Sequence, residues 1–183
     1  MSGFIPEITT TVKVNIDTSG LDEAIQTVNN DTILSQCFTD LTTLLQEKKE
    51  LAENLQDPAA ELISDRLASW QETIISTKHM ITGMMMNSVD ITHDGDGQYI
   101  VGNTATSVDG FPYPLAIEQG TRNHWIAPVT YSALHWSDAN GEHFSKGHMV
   151  SGITADPYVQ YSIDNTLEDV EDLLRPFINE LTG

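Results

Sequence analysis

The sequence predicts an α+β fold: a small, mainly antiparallel sheet packed against a long helix and a C-terminal helix, with an N-terminal strand-helix extension. Three observations carry this expectation. Ile8, Thr10, Val12, Val14 and Ile16 alternate with Thr9, Thr11, Lys13 and Asn15, the period of two of a half-buried strand. Two long stretches place apolar residues three and four apart, the period of an amphipathic helix. Between those stretches, from Asp90 onward, glycine punctuates short β-like runs.

Taken in order, the alternation makes Ile8 to Ile16 a strand, ended by Thr18, Ser19 and Gly20. Ser19 followed by Asp22 is a capping signature that starts a short helix at Leu21, and strand and helix together form an extension available to pair with a neighbour. Asn29 and Asn30 interrupt it, and Asp31 caps a second helix carrying Leu34, Phe38, Leu41, Leu44 or Leu45, Leu51 and Leu55. Asp57 and Pro58 read as a break, because proline suits a first helical turn where its missing N–H is not needed. A long helix is then expected from there to about Ser88, with Leu62, Ile63, Leu67, Trp70, Ile74, Ile81, Met85 and Val89 on one stripe.

Asp94-Gly95-Asp96-Gly97 reads as a tight hairpin turn before a strand at Tyr99, Ile100 and Val101. Tyr113 to Glu118 reads as another strand, with Leu115 and Ile117 on one face and Gly120-Thr121 as its turn. A closing helix from Ser162 to Leu181 follows, and Pro176 predicts a kink or a boundary near Leu174. The length fits one domain over 1–183, with an N-terminal part at 1–56 and a helix-plus-sheet core at 57–183.

Composition narrows the function. Eight Lys and Arg stand against 27 Asp and Glu, a net charge of −19 spread evenly along the chain. Nucleic-acid affinity rests mainly on Lys and Arg displacing condensed counterions, so specific DNA binding is not expected. Such acidity also suits a host with a salty cytoplasm, against which the isoleucine content argues. No apolar run approaches the roughly 20 residues of a membrane span, and residues 1–10 carry no secretory signature. Cys37 alone forms no internal disulfide, and its place on an apolar stripe reads as a small core residue.

The residues that tempt a chemical reading lack the partners chemistry needs. His79, His93, His124, His135, His143 and His148 show no helical pair at four-residue spacing and no accompanying cysteine, so no metal is expected. The calcium-loop reading of Asp94-Gly95-Asp96-Gly97 fails because position 12 of the loop falls on Ala105. Glu118 and His124 are a formal acid-base pair of a kind common in any chain, and no nucleophile elbow or phosphate-binding glycine loop is present. The expectation is therefore a protein that is not an enzyme and holds no cofactor. Met80, Met84, Met85 and Met86 read either as helix core or as an adaptable contact surface, with Met85 on the core stripe.

One ordered set of segments carries a resemblance. Tyr113-Pro114-Leu115-Ala116-Ile117-Glu118-Gln119-Gly120-Thr121 is followed by Ile126-Ala127-Pro128 and by Ala133-Leu134-His135-Trp136. Upstream stands Thr82-Gly83-Met84-Met85-Met86-Asn87-Ser88-Val89; downstream come Phe144-Ser145-Lys146, Gly152, Pro157-Tyr158 and the closing helix. In order and spacing, residues 81–177 resemble the neck and tail-completion (tail-component) proteins of long-tailed phages, the group that includes the lambda tail-completion protein Z. That family reads Tyr-x-x-x-Val-Glu-x-Gly-Thr, then Ile-x-Pro, then Ala-Leu-x-Phe or Trp. The chain departs from it in carrying methionines where the family often has basic residues at the helix end, and in a longer N-terminal region.

The resemblance implies a structural virion protein of the head-to-tail neck, made in the host cytoplasm. It implies a homo-oligomeric ring of six or twelve copies between a head-side connector protein and the tail-tube or tail-terminator protein, through which genome DNA passes. The alternative is a tail-terminator protein capping the tail tube. The structural residues carried over are Gly83, Tyr113, Glu118, Gly120, Thr121, Pro128 and Leu134, with Glu118 expected as a carboxylate that accepts backbone N–H bonds across the Gly120-Thr121 turn.

Overall fold

The computed structural model describes residues 8–30, 39–79, 83–95, 97–107 and 110–182. The expected cap at Asp31, the first apolar positions of the second helix at Leu34 and Phe38, and Cys37, Met80, Ile81 and Asp96 lie outside these residues. The fold is α+β: the described residues form four helices, a three-stranded sheet and two two-stranded ladders, all antiparallel.

Strand β1 (Ile8–Lys13) follows the alternation seen in the sequence, with even exposure of every second residue, and ends before Val14. It pairs within its own chain, Thr10 opposite Val101 of β3 (Gln98–Asn103). Strand β2 (Val89–His93) flanks the other edge of β3, giving the order β1-β3-β2. The β2–β3 hairpin closes at the expected glycine turn, where Asp94 N donates to Gln98 O and Gln98 N to Gly95 O. Helix α1 (Ser19–Asn30) starts two residues early because Asp17, rather than Ser19, supplies the cap: its Oδ1 accepts from Ser19 N at 2.9 Å.

The largest departure is α2 (Thr39–Lys78), one helix of 40 residues where the sequence suggests two. It runs through Pro58 without a break and spans about 60 Å at 1.5 Å per residue. Pro58 removes a single bond to the carbonyl of Asn54, both residues face solvent, and Leu55, Ala59 and Ala60 are buried on the opposite side. Burial of that inner face outweighs the local propensity. Asp57 caps nothing; its Oδ1 accepts the Tyr99 hydroxyl at 3.1 Å and lies 3.6 Å from His93. At the other end α2 stops at Lys78, well before Ser88. Gly83 takes φ +74°, where L side chains are strained, and residues 86–88 form a separate 3-10 turn.

Helix α3 (Tyr113–Gln119) occupies the segment expected to be a strand. Pro114 sits in its first turn with φ preset for a helix, and Tyr113, Ala116 and Ile117 share a face at three- and four-residue spacing. A seven-residue run satisfies both periods, and proline decides between them. Helix α4 (Tyr158–Thr182) begins one turn before Ser162 and continues through the exposed Pro176 to its end, so the expected boundary near Leu174 is absent.

Helix α2 lies across the sheet and along α4. Leu67 and Ala68 pack on Val101, with Val12, Val89, Ile91 and Ile163 around them. Farther along, Ile74 and Ile75 meet Met85, Ala105, Tyr158 and Val159, and Tyr113 and Ile117 close the cluster from α3. Asn103, fully buried at the end of β3, donates to Met85 O at 2.9 Å and accepts from Ala105 N at 3.1 Å, which ties the 3-10 turn to the sheet.

At the α2–α4 seam the Asp169 carboxylate accepts from Arg66 at 2.6 Å and from Trp70 Nε1 at 3.0 Å. The Trp70 and Arg66 hydrogen bonds hold its pKa below the ordinary 3.8. A depressed carboxylate stabilises the fold above its ordinary value, and that contribution disappears as pH falls through the lower native value. Asp169→Asn should therefore melt below the wild type at pH 7, with the gap closing as the pH drops under about 4. Thermal melts across that range check this; a gap independent of pH would contradict it.

Candidate functional site

The residues singled out in the sequence divide between two places. Tyr113, Glu118, Gly120 and Thr121 lie where α3 meets the start of α4, whereas Pro128 and Leu134 line a projecting arm. Gly83 belongs to neither; it forms the turn between α2 and the 3-10 segment.

The first place is a clamp between residues 117–121 and 153–159, two segments distant in sequence. Asp156 N donates to Ile117 O at 2.8 Å and Thr121 N to Ile153 O at 2.8 Å. Thr121 Oγ1 in turn accepts from Ile153 N at 2.9 Å. Gly120 ends α3 with φ +72°, and a Cβ there would stand 2.8 Å from both Ala155 N and Ile153 O. Its glycine is required twice, by the backbone angle and by the close approach. Gly152 is needed for space alone, since a Cβ on it would collide with the Thr121 carbonyl.

Glu118 completes the clamp. Its Oε2 accepts from Val159 N at 2.9 Å, one of the otherwise unpartnered donors in the first turn of α4, and its negative charge faces the positive end of that helix. The carboxylate thus bonds backbone, as its motif suggested, but 41 residues away rather than across its own turn. Beside it the Tyr158 ring is fully buried, and burial, followed by the Glu118 charge, raises the phenol pKa well above its ordinary 10. His124 Nδ1 lies 3.0 Å from Arg122 O, so Glu118 and His124 have separate partners and form no acid-base couple. Among the described residues no group of three or more His, Cys, Asp or Glu is placed to hold a metal ion.

The second place is built from four short strands in two ladders. Strand β4 (His124–Ile126) pairs with β7 (His148–Val150), and the hairpin β5 (Leu134–Asp138) with β6 (Gly141–Ser145) projects between them. Its two faces differ. On one, Trp136 stands opposite His143 and leans on His148, with ring centroids 5.3 and 4.9 Å away, so the hairpin rests on β7. Asp138 accepts from His143 at 3.0 Å, and that bond lowers the Asp138 pKa.

On the other face His135 stacks on Phe144 at 4.6 Å, and residues 127–134 curl beside them. The result is an open concavity of about 1000 Å³ whose wall includes Pro128, Val129, Tyr131 and Leu134. Val129 is 100% exposed, Tyr131 82% and Phe144 68%; Trp125 and Met149, on the neighbouring ladder, are exposed as well. Large apolar side chains gathered in one exposed place mark a contact surface. The sequence singled out Pro128 and Leu134 as structural motif residues and gave no sign that they stand on an exposed aromatic surface, because a period-two pattern does not say which face a core covers.

Compared with protein-family models, curated proteins and solved structures, the chain finds no match in any of the three. No helix among the described residues is long and apolar enough to cross a membrane.

Two substitutions test the clamp. Glu118→Gln keeps an acceptor but loses the charge and should cost about 0.3–1 kcal/mol, while Glu118→Ala should cost about 0.5–2 kcal/mol; an alanine variant that melts with the wild type would remove Glu118 from this role. Gly120→Ala should lose about 1–3 kcal/mol from backbone strain and more from the collision with residues 153–155. Denaturant titration at constant m-value reads that loss.

Proposed function

We propose that this chain is a structural, non-enzymatic protein of the head-to-tail neck of a tailed prokaryotic virus. It forms a ring that joins the head connector to the tail tube and lets DNA pass. The observation that carries the reading is the division just described: three of the motif residues that resemble the tail-completion family, Glu118, Gly120 and Thr121, build a backbone clamp, and two more, Pro128 and Leu134, lie on an arm that exposes its aromatic side chains. The clamp holds a subunit's shape, and the arm offers a surface to a neighbour. Heterologous contacts of such a surface, repeated around an axis, close a ring.

The charge supports passage rather than binding. A surface with 27 acidic and 8 basic residues repels phosphate, so a lumen lined by it slides past DNA without holding it. The alternative placement, as a tail-terminator protein capping the tube, uses the same ring and differs in its neighbours.

Light scattering on the purified protein should give a mass of six or twelve chains of 20.2 kDa. Electron microscopy of virions carrying a labelled copy should then show density between head connector and tail tube. A label at the tube end alone would select the terminator reading, and a label elsewhere in the particle would overturn both.

A further inference from the structure

We infer that the arm at residues 122–150 docks on the outer face of helix α4 of a second copy of this chain, so that the contact is arm to helix rather than arm to arm. The inference deepens the ring reading and rests on it.

Charge identifies the occupant. Residues 122–150 hold two basic and two acidic residues and are formally neutral, so the rest of the chain carries the whole −19. Of the two acids of the arm, Asp138 is hydrogen-bonded by His143 at 3.0 Å and Glu142 lies 3.6 Å from His135. Arg122 and Lys146 have no ion-pair partner among the described residues. Outside the arm, Lys49, Arg66, Lys78 and Arg175 each hold a carboxylate and Lys48 donates to Leu181 O, which leaves Lys13 at the end of β1 as the one further cation without an ion-pair partner among the described residues. The arm therefore brings uncommitted positive charge together with exposed apolar area, whereas two bodies facing each other would bring acid against acid.

The matching surface is on α4. Its inner face, with Tyr158, Val159, Ser162 and Thr166, is buried against the rest of the fold. The opposite stripe carries Asp164, Leu167, Glu168, Glu171 and Ile178, all exposed, with Leu167 and Ile178 three turns apart on one line; Glu171 also lies 3.6 Å from Arg175, while Asp164 and Glu168 have no ion pair among the described residues. Two apolar ridges bracketed by carboxylates complement a concavity walled by Val129, Tyr131 and Phe144 with Lys146 nearby in the chain. A helix lying in an apolar groove is a recurring mode of recognition. Arm and helix face are different surfaces, so each copy uses both, and the contact propagates in one direction around an axis.

The arm-blocked variant is Val129→Asp/Tyr131→Asp; the face-blocked variant is Leu167→Arg/Glu171→Arg. These positions lie outside the core, and circular-dichroism melts should match the wild type. Each variant alone should sediment as a monomer at concentrations where the wild type is assembled. Mixed one to one, they should form a dimer and nothing larger, since one intact arm meets one intact face. Lys146→Glu should weaken wild-type assembly at least fivefold in midpoint concentration, and Glu171→Lys should partly restore it. A face-blocked variant that still assembles alone would show arm-to-arm contact, and a mixture that stays monomeric would show a different partner; either overturns the inference. Neck labelling of the virion is independent of both results and judges the ring reading separately.

Discussion

The close approach of residues 117–121 to 153–159 is the constraint on which the rest of the molecule depends. Everything between these segments, including all of β4 to β7, is a long excursion that leaves the body and returns to it. Two main-chain hydrogen bonds, side-chain oxygens of Glu118, Thr121 and Asn123 that accept backbone N–H groups, and two glycines close the excursion. Closing so long a loop costs conformational entropy that grows slowly with length, so a few well-placed bonds at its base suffice. Because every one of them has a backbone N–H as donor, they fix distance and direction together, and α4 enters the core at the angle that lets Tyr158 and Val159 reach Ile74 and Ile75.

The same clamp separates two kinds of stability. On the body side, α2 connects the sheet to α4 through buried apolar residues and through the Asp169 cluster. On the arm side the elements are short ladders held by stacked rings, and their apolar side chains face solvent. Apolar side chains that face solvent on the arm add nothing to the core of the body. Placing them beyond a closed base keeps their exposure from loosening the body.

What the sequence made legible follows from where local signals agree with tertiary demands. The alternation in β1, the glycine turn before β3 and the stripe of α4 are local, strong and undisturbed by their surroundings, and they appear in the fold nearly where they were expected. The errors sit where two local signals compete. Pro58 and Pro176 each suggest a break, yet both face solvent and packed neighbours carry the helix through. Residues 113–118 fit a strand and a helix equally in period, and Pro114 in the first turn settles the matter. Glu118 was identifiable as a structural carboxylate, but its partner at Val159 was not, because nothing local points across 41 residues. Asn103 and Gly152 carried no pattern that distinguishes a buried tie or a contact site from an ordinary polar or turn residue.

The two-faced hairpin β5–β6 has a bearing on how such a protein diversifies. Trp136 and His143 anchor one side to β7, while His135, Phe144 and the segment at 127–134 form the other. Drift on the anchored side is coupled to the subunit's own architecture and is filtered by it. Substitutions on the free side touch none of those anchors, so the two sides of one hairpin can change independently. A handful of side chains on the free side can then be replaced while the scaffold that carries them keeps its shape.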